Sequence, residues 1–311
     1  MKPVDKKDFD LLVIGETLVE FGCESDVVTN ESFKKDIGGA DVVVAATAAR
    51  LGSRVQLLSA IARDPFHSFI RERLLSHGIN IDYVNTCQGY NGLYFTSSLN
   101  PEEREYLIHH PGTASQHIQP PLIYDDMIEN AKIVYASSEL QSVSRLTRLA
   151  IFKAFHFANA NDVMVAYDPN LRLQRWTLDE AKENLWNVFA LIDVIFLSSP
   201  EESKALLGYE RPLDIIGYLW DRGIETVVVK IGRQGCVIGH DKKIREFQLP
   251  DVTEKFNTPT LVGSAFNGGF LHGIARGYDP FAAAELANSV ALYKGIKGGG
   301  IGSLPTAEDL R

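Results

Sequence analysis

Residues 257–277 read NTPTLVGSAFNGGFLHGIARG, and no other stretch of the chain constrains its fold so closely. Pro259 and the turn residues ahead of it close one element, because proline has no backbone N–H and restricts the residue before it. From Ala265 the run predicts a helix with Gly268 and Gly269 in its interior. Two such glycines cost roughly 1 kcal/mol each relative to alanine, so something comes close to the backbone there, either a neighbouring helix or a ligand. The start of the helix is itself suited to anions, since its first N–H groups and its macrodipole both point outward.

Upstream, short apolar runs rich in β-branched residues alternate with longer helical patterns. Residues 11–14 end in Gly15, as a buried strand running into a turn should. Residues 42–51 are rich in Ala and Val and close on Gly52, the signature of a buried helix with a glycine at its end. Strands are expected at 55–61, 133–136, 163–167, 194–197 and 226–231, with helices at 65–77, 178–190, 201–207 and 214–222. This alternation predicts an α/β fold, a doubly wound, mostly parallel sheet with helices on both faces. Ligands of such sheets bind at the carboxyl ends of the strands. Segments 16–36 and 88–110 break the rhythm. They hold strand-like stretches (92–98 and 105–109) without a long helix, and so predict a small antiparallel sheet projecting as a lid. With no linker and no repeat, residues 1–311 are expected to form one domain carrying that lid.

Composition excludes several classes of function. The 31 basic against 40 acidic residues give a net charge of −9 and a pI near 5.4, and no stretch gathers Lys or Arg on one face, which argues against nucleic acid. The three cysteines are far apart and match no metal-ligand spacing, in keeping with a reducing compartment. No apolar run approaches the ~20 residues that cross a bilayer, and the N-terminal residues read as a buried strand, not a signal peptide. A cytoplasmic protein is expected, with no nucleic-acid partner and no membrane. His109 and His110 are adjacent, so on a strand they face opposite ways and make a poor metal pair.

The segment FNGGFLHG with its preceding residues resembles the C-terminal signature of the ribokinase-like (PfkB-type) carbohydrate kinases, whose usual form is DTTGAGDAFNGGF. The resemblance runs nearly the whole chain. GETLVEF (15–21) resembles the first strand and sugar-contacting loop, and IGGADVVVAATAARLGS (37–53) the GGAPANVAVALARLG motif. YDPNLRLQRW (167–176) resembles the DPNLR segment of the fructokinase and 2-keto-3-deoxygluconate kinase branch. VVVKIGRQGCVI (227–238) matches the late strand and turn bordering the nucleotide, and GGGIGSLP (298–305) the closing turn near the adenine. Six such matches in order imply the ribokinase-like fold, ATP and Mg²⁺ as cofactors, a sugar as the phosphoryl acceptor and a possible homodimer formed through the lid.

The resemblance also implies site residues. Glu16, Glu20, Gly38, Gly39, Val43, Asp168, Asn170 and Arg172 fall at sugar-side positions. Lys230, Gly232, Gly235, Asn267 and Asn288 fall at nucleotide-side positions, and Glu202 at the metal-side glutamate of an Asn-x-x-Glu motif. The catalytic aspartate of the family corresponds to Ser264, and its anion-hole amides to those of Leu261, Val262 and Gly263. Several positions depart from the pattern. A serine hydroxyl is not ionised near neutral pH and cannot act as the general base, whose loss typically costs 10²–10⁴-fold in rate. Val262 would be strained if the turn required a positive φ. Val43 replaces an asparagine that contacts sugar hydroxyls, and Ser199 replaces the metal-side asparagine. The stretch YLIHHPGTAS (106–115) lacks the arginine that meets a substrate carboxylate, which favours a fructose-like hexose. Two readings follow: a sugar kinase of impaired activity, and a catalytically inactive relative that binds sugar, nucleotide or a protein partner.

Overall fold

A strand covered on both faces should be apolar along its length, and β1 (Phe9–Ile14) is buried from Asp10 onward. The computed structural model describes residues 7–23, 25–97, 106–109, 112–250 and 261–310. From β1 the chain passes to β2 (Leu18–Cys23) and β3 (Lys34–Gly38), then through α1 (Ala40–Arg50) to β4 (Val55–Ala62). Helix α2 (His67–Ser76) leads to the short β5 (Ile79–Asn80) and β6 (Val84–Cys87), followed by β7 (Gly92–Ser97) and β8 (Tyr106–His109). Next come α3 (Asp125–Glu129), β9 (Ala131–Ser137), α4 (Ser138–Gln141), α5 (Arg145–Ala160) and β10 (Met164–Asp168). Helix α6 (Leu178–Val188) precedes β11 (Val194–Ser198), and α7 (Glu201–Leu207) and α8 (Pro212–Trp220) precede β12 (Thr226–Lys230). The hairpin β13 (Gly235–His240) and β14 (Lys243–Gln248) is followed by α9 (Val262–Ala275) and α10 (Pro280–Lys297).

Ten strands form the main sheet in the order β14-β13-β12-β11-β10-β9-β1-β4-β5, with β6 also pairing with β4. Every pairing from β12 across to β5 is parallel, and among the described residues only β12–β13 and β13–β14, at one edge, are antiparallel. The winding reverses between β1 and β9. Loops leave that point in opposite directions and open a crevice at the carboxyl ends, which places Glu16 after β1 and Glu139 after β9 at its floor.

The second sheet is the expected lid, in the order β3-β2-β7-β8. It is mixed, not purely antiparallel: β2 pairs antiparallel with β3 but parallel with β7. The chain between β2 and β7 makes a full excursion through the main sheet, and a crossover of that length lets two strands run the same way.

Each face of the main sheet carries its own apolar layer, one with α1, α9 and α10 and the other with α5, α6 and α8. Gly268 and Gly269 serve the first layer. A Cβ on Gly268 would stand 2.6 Å from Thr47 Cβ and 2.7 Å from the Val44 carbonyl of α1, and one on Gly269 would stand 2.9 Å from Val290 Cγ2 of α10. Of the two possibilities open for these glycines, helix packing accounts for both. No helix among the described residues is long and apolar enough to cross a membrane.

Candidate active site

Strand-end carboxylates line the crevice, and cations hold most of them in place. Glu16 is fully buried and meets Arg175 Nη1 at 2.6 Å. Arg175 also donates to the Glu139 carbonyl at 3.1 Å, and Arg172 Nε donates to Glu139 Oε1 at 2.9 Å. The other Glu139 oxygen faces the Ala40 amide at the start of α1, 3.4 Å away. Helix α1 begins there because Gly39 takes φ 113° with its Cα against the Glu16 carbonyl, where a Cβ would come within 2.8 Å. At Gly38 a Cβ would collide with the Tyr94 hydroxyl of the lid. Asp41, in the first turn of α1, is fully buried among these acids. Burial first, and then the nearby Glu139 and Glu16 carboxylates, push its carboxyl well above the usual range. The Ser137 hydroxyl lies close enough to oppose that shift without making a hydrogen bond of ordinary geometry.

One strand further along the sheet, β10 ends in Asp168 and β12 in Lys230. Lys230 Nζ donates to Asp168 Oδ2 at 2.9 Å, and Asn267 Nδ2 of α9 donates to the same oxygen at 2.6 Å. Asp168 Oδ1 accepts the Asn170 amide at 3.0 Å, fixing the turn after the strand. Lys230 also reaches toward α9, its ammonium 3.8 Å from where a Cβ on Gly263 would lie. The first intrahelical bond of α9 runs from the Ala265 amide to the Leu261 carbonyl, so the N–H groups of Leu261, Val262, Gly263 and Ser264 have no acceptor within the helix. A cationic side chain and a helix N-terminus therefore converge on one spot, the arrangement that holds a phosphoryl group. Glu202 stands behind it with both oxygens occupied, by the Leu171 and Ser198 amides at 2.7 Å each. Burial and the neighbouring Asp168 push Glu202 up to about 7.

Beyond Lys230 lies a cavity of about 390 Å³ between the end of β14 and α10, lined by Phe247, Gln248, Leu249, Asn288, Ser289 and Leu292. The Asn288 side chain donates to the Phe247 carbonyl at 3.0 Å. Gly235, at φ 114°, passes so close to the Phe247 carbonyl that a Cβ cannot be placed there. Among the described residues no cluster of three or more His, Cys, Asp or Glu side chains could hold a metal ion.

Residues 8–307 match the model of the pfkB family carbohydrate kinases. The chain belongs to that family. Curated relatives include a 5-dehydro-2-deoxygluconokinase from Clostridium tetani, 26% identical over 99% of this chain and 93% of that protein. Another is an ATP-dependent 6-phosphofructokinase from Thermoanaerobacterium thermosaccharolyticum, 25% identical over 99% and 94% of the two chains. Among solved structures, a putative ribokinase II from E. coli in complex with ATP and Mg²⁺ superposes with a TM-score of 0.87 at 20% identity, covering 97% of each chain. At that identity the likeness shows the ribokinase-like fold.

Within the PfkB fold, the sequence-derived residues fall in several different places. Glu16, Asp168, Asn170, Arg172 and Lys230 gather at the crevice. Glu20 accepts a hydrogen bond from Thr96 of β7 at 3.0 Å, at the root of the lid. Val43 is fully buried in the first apolar layer, so it packs α1 and does not wall the crevice. Asn267 is fully buried too and ties α9 to β10 beneath the site, away from the cavity beside Asn288. The turn does take a positive φ, but at Leu261 (φ 63°), the residue before the helix, so Val262 escapes that strain. The closing turn, which its resemblance places near the adenine, sets Gly300 close to Glu20 and Asp36 at the root of the lid. His110 lies outside the described residues, as does the side chain of His109. Sequence reasoning missed Asp41, Glu139 and Arg175. Asp41 stands where the family motif has a proline, and nothing local marks Glu139 or Arg175 as meeting Glu16 across more than a hundred residues.

Proposed function

We propose that this PfkB-family chain is a sugar kinase whose transfer step is impaired, with ATP and Mg²⁺ as its cofactors and a neutral, fructose-like hexose as its acceptor. The convergence of Lys230 and the first turn of α9 beside Asp168, with Ser264 in place of a carboxylate, carries this reading. The adenine would occupy the cavity beside Asn288, with the glycine turn 232–235 at its edge. The phosphates would lie on the N–H groups of Val262, Gly263 and Ser264, where Lys230 supplies a positive charge. Glu202 has both oxygens engaged by amides, so Mg²⁺ would be held mainly by phosphate oxygens and water, as this ion commonly is. Bound ATP supplies the phosphoryl group, and the metal neutralises its charge.

Ser264 can donate and accept hydrogen bonds but cannot take a proton to completion near neutral pH. Asp168 is the carboxylate tied to α9, and one of its oxygens already accepts from Lys230 and Asn267. It can orient a sugar hydroxyl through the other but is poorly placed to be a free base. Arg172, Arg175 and Lys230 are each paired with a carboxylate, which supports an uncharged sugar. The relatives named for 5-dehydro-2-deoxygluconate favour a second reading, in which the acceptor is a sugar acid whose carboxylate displaces Glu139 from Arg172.

ADP release with ketoses, aldoses and 5-dehydro-2-deoxygluconate tests the proposal, comparing wild type with Ser264→Asp. We expect slow turnover by the wild type and a gain on the order of 10²-fold or more in Ser264→Asp, the scale of one general base. Robust wild-type turnover unchanged by the substitution would refute the impairment. A preference for the sugar acid would establish the second reading.

A further inference from the structure

Lys294 is fully buried and takes no part in the site above. It lies in the last turn of α10, where its ammonium meets the carbonyls of Gly298 at 3.0 Å, Gly299 at 2.5 Å and Gly300 at 3.1 Å, and Ser303 Oγ at 2.7 Å. Three consecutive carbonyls can aim at one point because Gly298 and Gly299 adopt positive φ, 63° and 71°, which residues with a Cβ rarely do. The Ser303 hydroxyl is held in turn by the Gly298 and Gly300 carbonyls. All four groups present oxygen and the carbonyls can only accept, so the ammonium form of the amine is the one they satisfy. The C-terminal end of α10 adds its negative dipole. The wall of this cage is shared with the lid: a Cβ on Gly300 would lie 3.3 Å from Glu20 Oε2 and 3.8 Å from Asp36 Oδ2, and Asp36 is clamped by Arg73.

We infer that the turn 298–303 is an oxygen cage for a monovalent cation and that the Lys294 ammonium is its permanent, covalently attached occupant. Carbonyl and hydroxyl oxygens at these distances suit an ammonium group, and equally a potassium ion, neither of which can be buried without several oxygen partners. Attachment to α10 replaces an equilibrium with dissolved ions by a fixed charge. The turn and the lid root that rests on it are therefore indifferent to which alkali cation is in solution. Removing the ammonium leaves the carbonyls converging on a vacated centre, and a free cation of similar size then binds there and stabilises the fold by mass action.

Thermal unfolding of wild type and Lys294→Ala tests this without reference to kinase activity, in KCl, NH₄Cl, NaCl and tetramethylammonium chloride at equal ionic strength. Wild type should melt at the same temperature in KCl, NH₄Cl and tetramethylammonium chloride. Lys294→Ala should melt several degrees lower in tetramethylammonium chloride and recover saturably with K⁺ or NH₄⁺. If Lys294→Ala cannot be purified folded, Lys294→Met carries the same comparison, since its side chain keeps the apolar length of the lysine stem and lacks the ammonium. A variant that responds alike to potassium and tetramethylammonium overturns the proposal, as does a wild type that potassium stabilises selectively.

Discussion

Leu261 occupies the left-handed region at φ 63° immediately before α9, a conformation that costs a residue with a Cβ roughly 1–2 kcal/mol. Its side chain recovers part of that by packing, half-buried, against the first apolar layer. The two contributions separate by substitution. Leu261→Ala loses the packing and keeps the strain, whereas Leu261→Gly loses the packing and the strain together. We therefore expect the glycine variant to be more stable than the alanine variant by about 1 kcal/mol, the reverse of their usual order. Urea unfolding of the pair measures this directly, and an alanine variant that equals or exceeds the glycine one would mean that the left-handed turn is not held in solution. The same residue bears on transfer, because it sets where the N–H groups of Val262, Gly263 and Ser264 point.

Helix α9 is pressed between α1 and α10, and its two interior glycines set the distances. Alanine in their place would gain roughly 1 kcal/mol of helix propensity apiece. The contacts decide otherwise. A Cβ at Gly268 meets the Val44 carbonyl at 2.7 Å, a backbone atom that cannot turn aside, while at Gly269 the first obstacle is the Val290 side chain at 2.9 Å. Gly268→Ala should therefore lower the unfolding free energy by about 1–3 kcal/mol, in the range of overpacked cores, and Gly269→Ala by less. Chemical denaturation would show the order, and equal or stabilising effects would contradict the packing. The need for close approach at these glycines was legible in the sequence, though not whether a helix or a ligand made it. The parallel strands were legible because their runs are short, β-branched and unbroken. The long Ala-rich α10 was not, since it is apolar on nearly every side and shows no clear face. Within the site, Asp168 and Lys230 were legible from motifs ending strands, whereas Asp41, Glu139 and Arg175 meet only through the topology. Lys294 carries no signal at all, because a lysine near a helix end ordinarily points to water.

Stability as a function of pH belongs to the whole molecule, and buried carboxyls and a buried histidine pull it in opposite directions. Glu202 is raised to about 7 by burial and Asp168, so the folded state holds its proton more tightly than the unfolded chain does. Its contribution is fully present below about pH 4.5 and is lost as pH rises through 7. Asp41, also raised by burial, acts with the same sign. His272, which shares a 2.7 Å hydrogen bond with Ser53, is lowered to about 4, chiefly by burial and then by the Arg276 charge. The unfolded chain takes up that proton first, so the His272 contribution is intact above about 6.5 and is lost as pH falls toward 4. Between pH 4.5 and 6.5 the Glu202 and His272 effects offset each other, and the wild type should show a shallow profile there. Each variant then exposes the opposite slope. Glu202→Gln leaves only Asp41 to oppose the histidine effect and should lose stability relative to the wild type on going from pH 6.5 to 5. His272→Gln leaves the carboxyl effect and should gain stability over the same interval. Urea unfolding at pH 5, 6 and 7 measures both, and if the two variants changed in the same direction between pH 6.5 and 5, the opposition between these groups would be wrong.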